Sequence, residues 1–248
     1  MKSSCYTRRM EHRKYKTPHN YTVYLDLEES YKMVARVLGT YETFKFKLLS
    51  NLLLENMTFL DVGSCKGDFA LFAATLINKG RIYAFEPEPT NFKWIVRSIQ
   101  ENQFANITAI NAALSDSTST AILHLGKESG WHTLNEEQLQ PTQTQDSSQC
   151  LVYTKQLDNM NLKNLHLMKV DVEGSEHRVF EGAKETIAEY RPIILLELHA
   201  HLGADIASIN EMFSKLNYTF ALTKNPTVKI DALPTDPKSL DYDVILWP

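Results

Sequence analysis

The chain has 248 residues, 43% hydrophobic and 23% charged, with a formal net charge of −4. This is the composition of a globular protein with a sizeable core, long enough for one large α/β domain, and its charge gives no global reason to expect nucleic acid. Cys5, Cys65 and Cys150 are too scattered for a zinc or disulfide framework and read as reduced thiols of a cytoplasmic protein, and no apolar run approaches a membrane span or a signal-peptide core.

The first twenty residues carry Lys2, Arg8, Arg9, Arg13, Lys14 and Lys16 against Glu11 alone, and such a tail is expected to be solvated or frayed. Glu28 to Leu38 and Glu42 to Leu54 repeat apolar side chains at helical spacing and predict one or two helices that cap the core of the domain. Met57 to Asp61 predicts a strand, Phe69 to Ile77 a crossover helix, and Arg81 to Phe85 a second strand. A helix from Thr90 to Glu101, with Thr90 as N-cap, leads to a strand at Ile107 to Asn111 and an extra β segment at Thr120 to Leu125. Lys127 to Gln149 is rich in Gln, Ser and Thr and reads as a long loop, facing the substrate or merely on the surface. Leu167 to Val170 predicts a fourth strand, Glu176 to Glu189 a helical region interrupted at Gly182, Pro192 to Leu198 a fifth strand, and Ile206 to Leu216 a helix. Tyr218 to Leu222 and Tyr242 to Trp247 read as closing strands around a Pro-rich loop. Short strands alternating with helices predict an α/β fold with a mostly parallel sheet, helices on both faces and an antiparallel final pair.

The most informative segment is Phe59-Leu-Asp-Val-Gly-Ser-Cys-Lys-Gly-Asp-Phe69: an apolar strand ends in an acid, turns at glycine and enters a helix. The next strand, Ile82-Tyr-Ala-Phe-Glu86, also ends in an acid, the layout of a nucleoside-cofactor site at the carboxyl ends of parallel strands. A dinucleotide site needs G-x-G-x-x-G, its middle glycine giving a pyrophosphate close access to the backbone. Here that position is Cys65, between Gly63 and Gly67, and its Cβ crowds the phosphate. S-adenosylmethionine has no phosphate. Asp61 could hold its ammonium directly or through water, amide groups of the turn and helix start its carboxylate, and Glu86 its ribose hydroxyls. Two strand-end acids are harder to explain as helix caps. Cys65 could carry a lowered pKa, although a bystander thiol is the better reading.

Met168-Lys-Val-Asp-Val-Glu-Gly-Ser-Glu-His177 repeats the pattern, and Ile193-Ile-Leu-Leu-Glu-Leu-His199 repeats it again, with Glu197 and His199 on one face of their strand. If these strands are neighbours, Asp61, Glu86, Asp171, Glu173, Glu197 and His199 gather on one sheet edge, where open α/β sheets bind ligands. Asp171 and Glu173 read as functional. Glu176, Arg178 and Glu181 read as caps or ion pairs, His201 as structural, and His199 as either.

These pieces resemble the FkbM family of S-adenosylmethionine-dependent methyltransferases. The similarity lies in Gly39–Glu42, Phe59–Gly63, Ala84–Pro87, Asn111–Asp116, Met168–Glu176 and Ile194–His199, in that order, across most of the chain. The family's first turn reads V-G-A-N-x-G, whereas Ser64-Cys65-Lys66 stands here. The resemblance implies a Rossmann-like class I methyltransferase fold, a seven-stranded sheet with an antiparallel last strand, and methyl transfer to a hydroxyl oxygen of a sugar or secondary metabolite. It places the cofactor against Asp61, Gly63, Ser64, Gly67, Glu86 and Pro87, with Glu42 completing the pocket, Ala112 near the adenine, and Asp171 and Glu173 facing the methyl group and the acceptor. Residues 1–56 then form a tail and helical cap, and 57–248 the methyltransferase domain, as one structural unit.

Methyl transfer to an alcohol is an in-line displacement that needs alignment and a base. Glu173 or His199 is expected to take the proton, with Asp171 orienting the pair, so the catalytic set is Asp171, Glu173 and His199. His132 could reach the acceptor and Trp131 stack on a sugar. A less favoured version places Mg²⁺ between Asp171, Glu173 and Glu197. Three rival classes are a nucleic-acid methyltransferase using the basic tail, a non-catalytic S-adenosylmethionine-binding protein and a nicotinamide dehydrogenase. The acidic body, with 30 acids against 26 bases in the whole chain and six of those bases in the tail, disfavours the first; Cys65 disfavours the last. Acceptor specificity is expected in Lys127–Gln149, Asn225–Leu240 and the front helices.

Overall fold

A computed structural model describes residues 12–27, 29–135, 148–235 and 242–248. Lys2, Arg8, Arg9 and Glu11 of the basic tail, most of the Gln-rich stretch and part of the Pro-rich loop lie outside them. The elements in chain order are β1 (His12–Lys16), β2 (Thr22–Asp26), α1 (Tyr31–Val37), α2 (Thr43–Leu52), β3 (Thr58–Val62), α3 (Asp68–Leu76), β4 (Arg81–Phe85), α4 (Pro89–Asn102), β5 (Ile107–Ile110), β6 (Ala113–Leu114), β7 (Ser119–His124), β8 (Gln149–Lys155), β9 (Leu167–Val170), α5 (Glu176–Glu181), α6 (Lys184–Tyr190), β10 (Ile193–Leu198), α7 (Ile206–Lys215), β11 (Thr219–Leu222), β12 (Asn225–Ile230) and β13 (Tyr242–Trp247).

The main sheet runs β12-β11-β13-β10-β9-β3-β4-β5. The five strands from β10 to β5 are parallel, and β13 enters antiparallel between β10 and β11. Among the described residues the sheet therefore has eight strands, not the expected seven. The extra one, β12, is an edge hairpin partner of β11; it is exposed along most of its length and shows none of the buried alternation that marks a strand in sequence. Central β3 is buried at all five positions because helices cover both faces. On one face Leu60, Met168 and Leu196 pack with Val179, Phe180 and Phe213 of α5 and α7. On the other Phe59, Phe69 and Phe72 pack with Phe46 and Leu49 of α2 and with Val23 and Leu25 of β2.

Residues 12–26 are not a frayed tail. β1 and β2 pair antiparallel. Two polar side chains of α4 hold the hairpin: Tyr24 N donates to Ser98 Oγ at 3.0 Å, and Asn102 exchanges hydrogen bonds with the Thr22 N–H and carbonyl, both at 2.7 Å. Lys14 pairs with Glu101 on the same helix. Further corrections are local. α1 starts at Tyr31, with Ser30 as its cap. The cap of α4 is Glu88, whose Oε2 accepts the Asn91 N–H at 2.6 Å, because Pro89 occupies the first turn and places Thr90 inside the helix. β8, unmarked in sequence, pairs between β6 and β7 with Val152 and Thr154 inward and Leu151 and Tyr153 outward, an inverted pattern that hides the strand. Among the described residues no helix is long and apolar enough to cross a membrane.

Candidate active site

The carboxyl ends of β3, β4, β9 and β10 open into one cavity of about 290 Å³, near the lower end of the usual range for small-molecule sites. Its wall includes Glu42, Gly63, Ser64, Glu86, Pro87, Ala112, Asp171, Glu173 and His199. Two expected residues do not line it. Asp61 is fully buried behind the wall: its Oδ2 accepts the Ala70 N–H at 3.1 Å and its Oδ1 lies 3.7 Å from Lys169 Nζ, so it ties α3 to β3. Burial pushes its pKa up to about 6 despite Lys169. Gly67 begins α3 in left-handed backbone, φ +78°, out of the wall.

The turn after β3 depends on Gly63, with φ +74°. A Cβ there would lie 1.8 Å from the Asp171 carbonyl oxygen, so the turns after β3 and β9 meet backbone to backbone. This contact brings the two acidic motifs together. The amides of the turn point inward: Gly63 N and Ser64 N donate to Phe85 O at 3.1 and 2.9 Å, Cys65 N to Glu86 Oε2 at 2.8 Å, and Gly67 N to Ser64 O at 2.6 Å. At these four amides the expectation that the turn and helix start receive a carboxylate is not met. Glu86 Oε1 accepts the Glu88 N–H at 2.8 Å. Each Glu86 oxygen thus holds one backbone donor and keeps capacity for a second, as ribose hydroxyls would require. Burial pushes Glu86 up to about 8. Burial also pushes the Cys65 thiol well above its ordinary value, which makes it a bystander rather than a nucleophile.

On the second motif Glu173 adopts left-handed backbone, φ +53°, as functional loops often do. His199 Nε2 lies 3.6 Å from Glu173 Oε1 and 3.9 Å from Glu197 Oε1, while His199 Nδ1 lies 3.3 Å from Glu176 Oε1. Glu176, fully buried, also accepts the Gly174 N–H at 3.0 Å. Burial disfavours a charged imidazole, but the facing carboxylates prevail and hold the His199 pKa well above its usual value. Glu173 is pushed up to about 8 by burial, with His199 opposing and Asp171 and Glu197 adding to the rise. Asp171 stays ionised below the usual range: burial opposes this, but Lys169 Nζ at 3.2 Å, together with His199, outweighs it. Glu197 is held by Lys45 at 2.5 Å.

Ligand atoms of Asp171, Glu173 and His199 lie within 4.8 Å of one another. The set does not fit Mg²⁺, which demands oxygen donors. One member is an imidazole held in its charged form, and both Asp171 and the alternative ligand Glu197 are engaged by lysine ammonium groups.

The rim comes from the start of the polar stretch. Ser129 O accepts from Asn91 Nδ2 at 3.0 Å and Ser129 Oγ donates to Glu29 Oε1 at 2.7 Å, which fastens Glu128–His132 over the turn. Trp131 lines the cavity with Lys32 Nζ 5.9 Å from its ring centre. His132 Nδ1 accepts the Gly126 N–H at 3.1 Å, and burial lowers this imidazole to about 4. His201, read as structural, is in the wall too. Sequence reading missed Arg36, Asp68 and Lys169, all in the wall. Lys169 had a visible signal, a lone charge between Met168 and Val170. Arg36 had none, because α1 is brought to the sheet only by packing.

An open, mainly parallel sheet with an acid-lined cavity at its carboxyl edge is the architecture of a nucleoside-cofactor enzyme. Residues 61–220 match the family described as "Methyltransferase FkbM domain", and the chain belongs to this methyltransferase family. It is 25% identical over 183 residues to "Methyltransferase 1" of Beauveria bassiana (strain ARSEF 2860), covering 66% of this chain and 73% of that protein. The solved structure of methyltransferase FkbM from Methylobacillus flagellatus KT is similar in fold, with a TM-score of 0.52 and 18% identity. The match covers 80% of this chain but 46% of that one, so the chain spans less than half of that relative.

Proposed function

We propose that this methyltransferase uses S-adenosyl-L-methionine and methylates a hydroxyl oxygen of a small-molecule or glycan acceptor. One observation carries the choice of cofactor: the turn after β3 donates the amides of Gly63, Ser64, Cys65 and Gly67 inward and presents the Glu86 carboxylate instead. A pyrophosphate would need those amides and would be repelled by that carboxylate. A nucleoside with a free ribose diol and no phosphate suits it.

When bound, the cofactor supplies a methyl group on a sulfonium, released as a neutral thioether as the new carbon–oxygen bond forms. Glu86 binds the ribose hydroxyls, Ala112 and Pro87 border the base, and Asp171 and Glu173 face the acceptor. His199, held charged, has no free lone pair, so Glu173 takes the acceptor's proton and His199 holds Glu173 in place. Asp171, kept ionised by Lys169, orients the acceptor hydroxyl. Trp131 offers a stacking face for a sugar ring. A reducing cytoplasm suits Cys65, a thiol outside any disulfide among the described residues.

The test combines labelled methyl donor, a panel of hydroxylated acceptors and Glu173→Gln. The variant should bind S-adenosylmethionine like wild type while turnover falls by about 10²–10⁴-fold, the usual contribution of a general base. An undiminished rate would remove Glu173 from the chemistry.

A further inference from the structure

We infer that Arg36 and Asp68 bind the amino-acid end of the cofactor, Arg36 receiving the α-carboxylate and Asp68, with Glu42, the ammonium. The inference rests on the S-adenosylmethionine reading above. Asp61 is behind the wall, and the amides of Gly63, Ser64, Cys65 and Gly67 are engaged within the protein.

In the same cavity, α1 and the start of α2 bring Arg36 and Glu42 against Asp68, the first residue of α3. The Asp68 side chain is 1% exposed. Arg36 Nη2 lies 2.7 Å from Glu42 Oε2, out of hydrogen-bond alignment, and Arg36 Nε lies 3.8 Å from Asp68 Oδ2, beyond hydrogen-bond reach. Arg36 Nε, Glu42 Oε2 and Asp68 Oδ2 are all buried without a hydrogen-bond partner among the described residues. Such atoms are costly and call for a ligand or a functional reason. The unmatched set is one donor and two acceptors on charged groups. A zwitterionic amino acid complements it, since its carboxylate accepts and its ammonium donates. The guanidinium fork suits a carboxylate. It sits 5.7 Å from the centre of the Phe69 ring, which shields that side from water. Of the two lysines in the wall, Lys169 is already shared between Asp61 and Asp171, and Lys32 lies over the Trp131 ring at the rim.

Two ligands isolate this subsite. S-adenosylhomocysteine and 5′-methylthioadenosine share the adenosyl thioether, and only the first carries the amino-acid end. Calorimetric titration of the full chain should show S-adenosylhomocysteine binding more tightly. Arg36→Gln should weaken it by about 10–100-fold, the range for hydrogen bonds to charged groups, and leave 5′-methylthioadenosine within about twofold. Unchanged 5′-methylthioadenosine binding also shows that the cavity is intact. Asp68→Asn, which is isosteric, should give the same pattern and decides the matter if Arg36→Gln does not fold. Equal weakening of both ligands by Asp68→Asn, or unchanged affinity for S-adenosylhomocysteine, would overturn the assignment. Equal binding of the two ligands by wild type would overturn this assignment alone, whereas binding of neither would overturn the cofactor reading and this subsite with it.

Discussion

Glu173 sits in the cavity wall with His199 on one side and the Asp171 and Glu197 carboxylates nearby. Burial pushes its pKa up to about 8, so at lower pH it carries the proton it should be taking. A base acts in its ionised form. Turnover should therefore rise as pH increases through about 8 and level off above it, falling away on the acid side. Glu86 is pushed into the same range, so the profile must be measured as kcat at saturating cofactor, where weaker cofactor binding does not enter. A kcat independent of pH between about 6 and 9 would contradict Glu173 as the base. At this scale the acids were legible because each follows an apolar strand and so must reach the sheet edge. Arg36 and Asp68 were not legible as partners, since thirty-odd residues and a strand separate them and only folding sets them side by side.

Lys66 links four elements. Its side chain is 1% exposed, and its ammonium lies 2.5 Å from Asp26 Oδ2, 3.1 Å from Glu29 Oε2 and 2.7 Å from Asn91 Oδ1. Asp26 also accepts from Trp94 Nε1 at 2.8 Å. One lysine in the cofactor turn thus fastens the end of β2, the lead-in to α1 and the start of α4. Lys66→Met would leave Glu29 buried without its cation. Since Asp26 is partly exposed, the loss should be about 2–4 kcal/mol, somewhat below that of a fully buried pair. Urea denaturation checks it, and a stability equal to wild type would show that the Lys66 cluster adds nothing to what the α4 hydrogen bonds and apolar packing already supply. Between β3 and α7 the sequence marked every helix and every strand except β6, two residues long, and β8, whose Leu151 and Tyr153 face outward while Thr154 is buried. It concealed β1, in which charged side chains are exposed and pairing with β2 supplies the order, and β12, which has no buried face to leave a pattern.

For the whole molecule, buried groups with raised pKa values outweigh those lowered at the sheet edge. Asp61, Glu86, Glu173 and Glu197 are all pushed up by burial, the last to about 7, and His199 is raised by its carboxylates. In each case the folded state retains a proton that the unfolded chain gives up sooner. Folding stability therefore falls as pH rises through these values, from about 6 to beyond 8, and is greater on the acid side of that window. Without cofactor, Tm at about pH 6 should exceed Tm at about pH 8.5 by several degrees; a higher Tm at the alkaline end would contradict the burial of these acids. At the cavity the β3–β9 pairing ends in a backbone contact of Gly63 with Asp171, which joins two motifs more than a hundred residues apart. The recurrence of both motifs at strand ends was readable in sequence; their contact was not.

The most direct measurement is calorimetric titration of the purified protein with S-adenosylmethionine and, separately, NAD⁺, for wild type and Glu86→Ala. The expected result is binding of S-adenosylmethionine alone, weakened at least about tenfold by the substitution, as for loss of hydrogen bonds to a charged group. Tighter binding of NAD⁺, or S-adenosylmethionine binding that ignores Glu86, would contradict the assignment of this cavity.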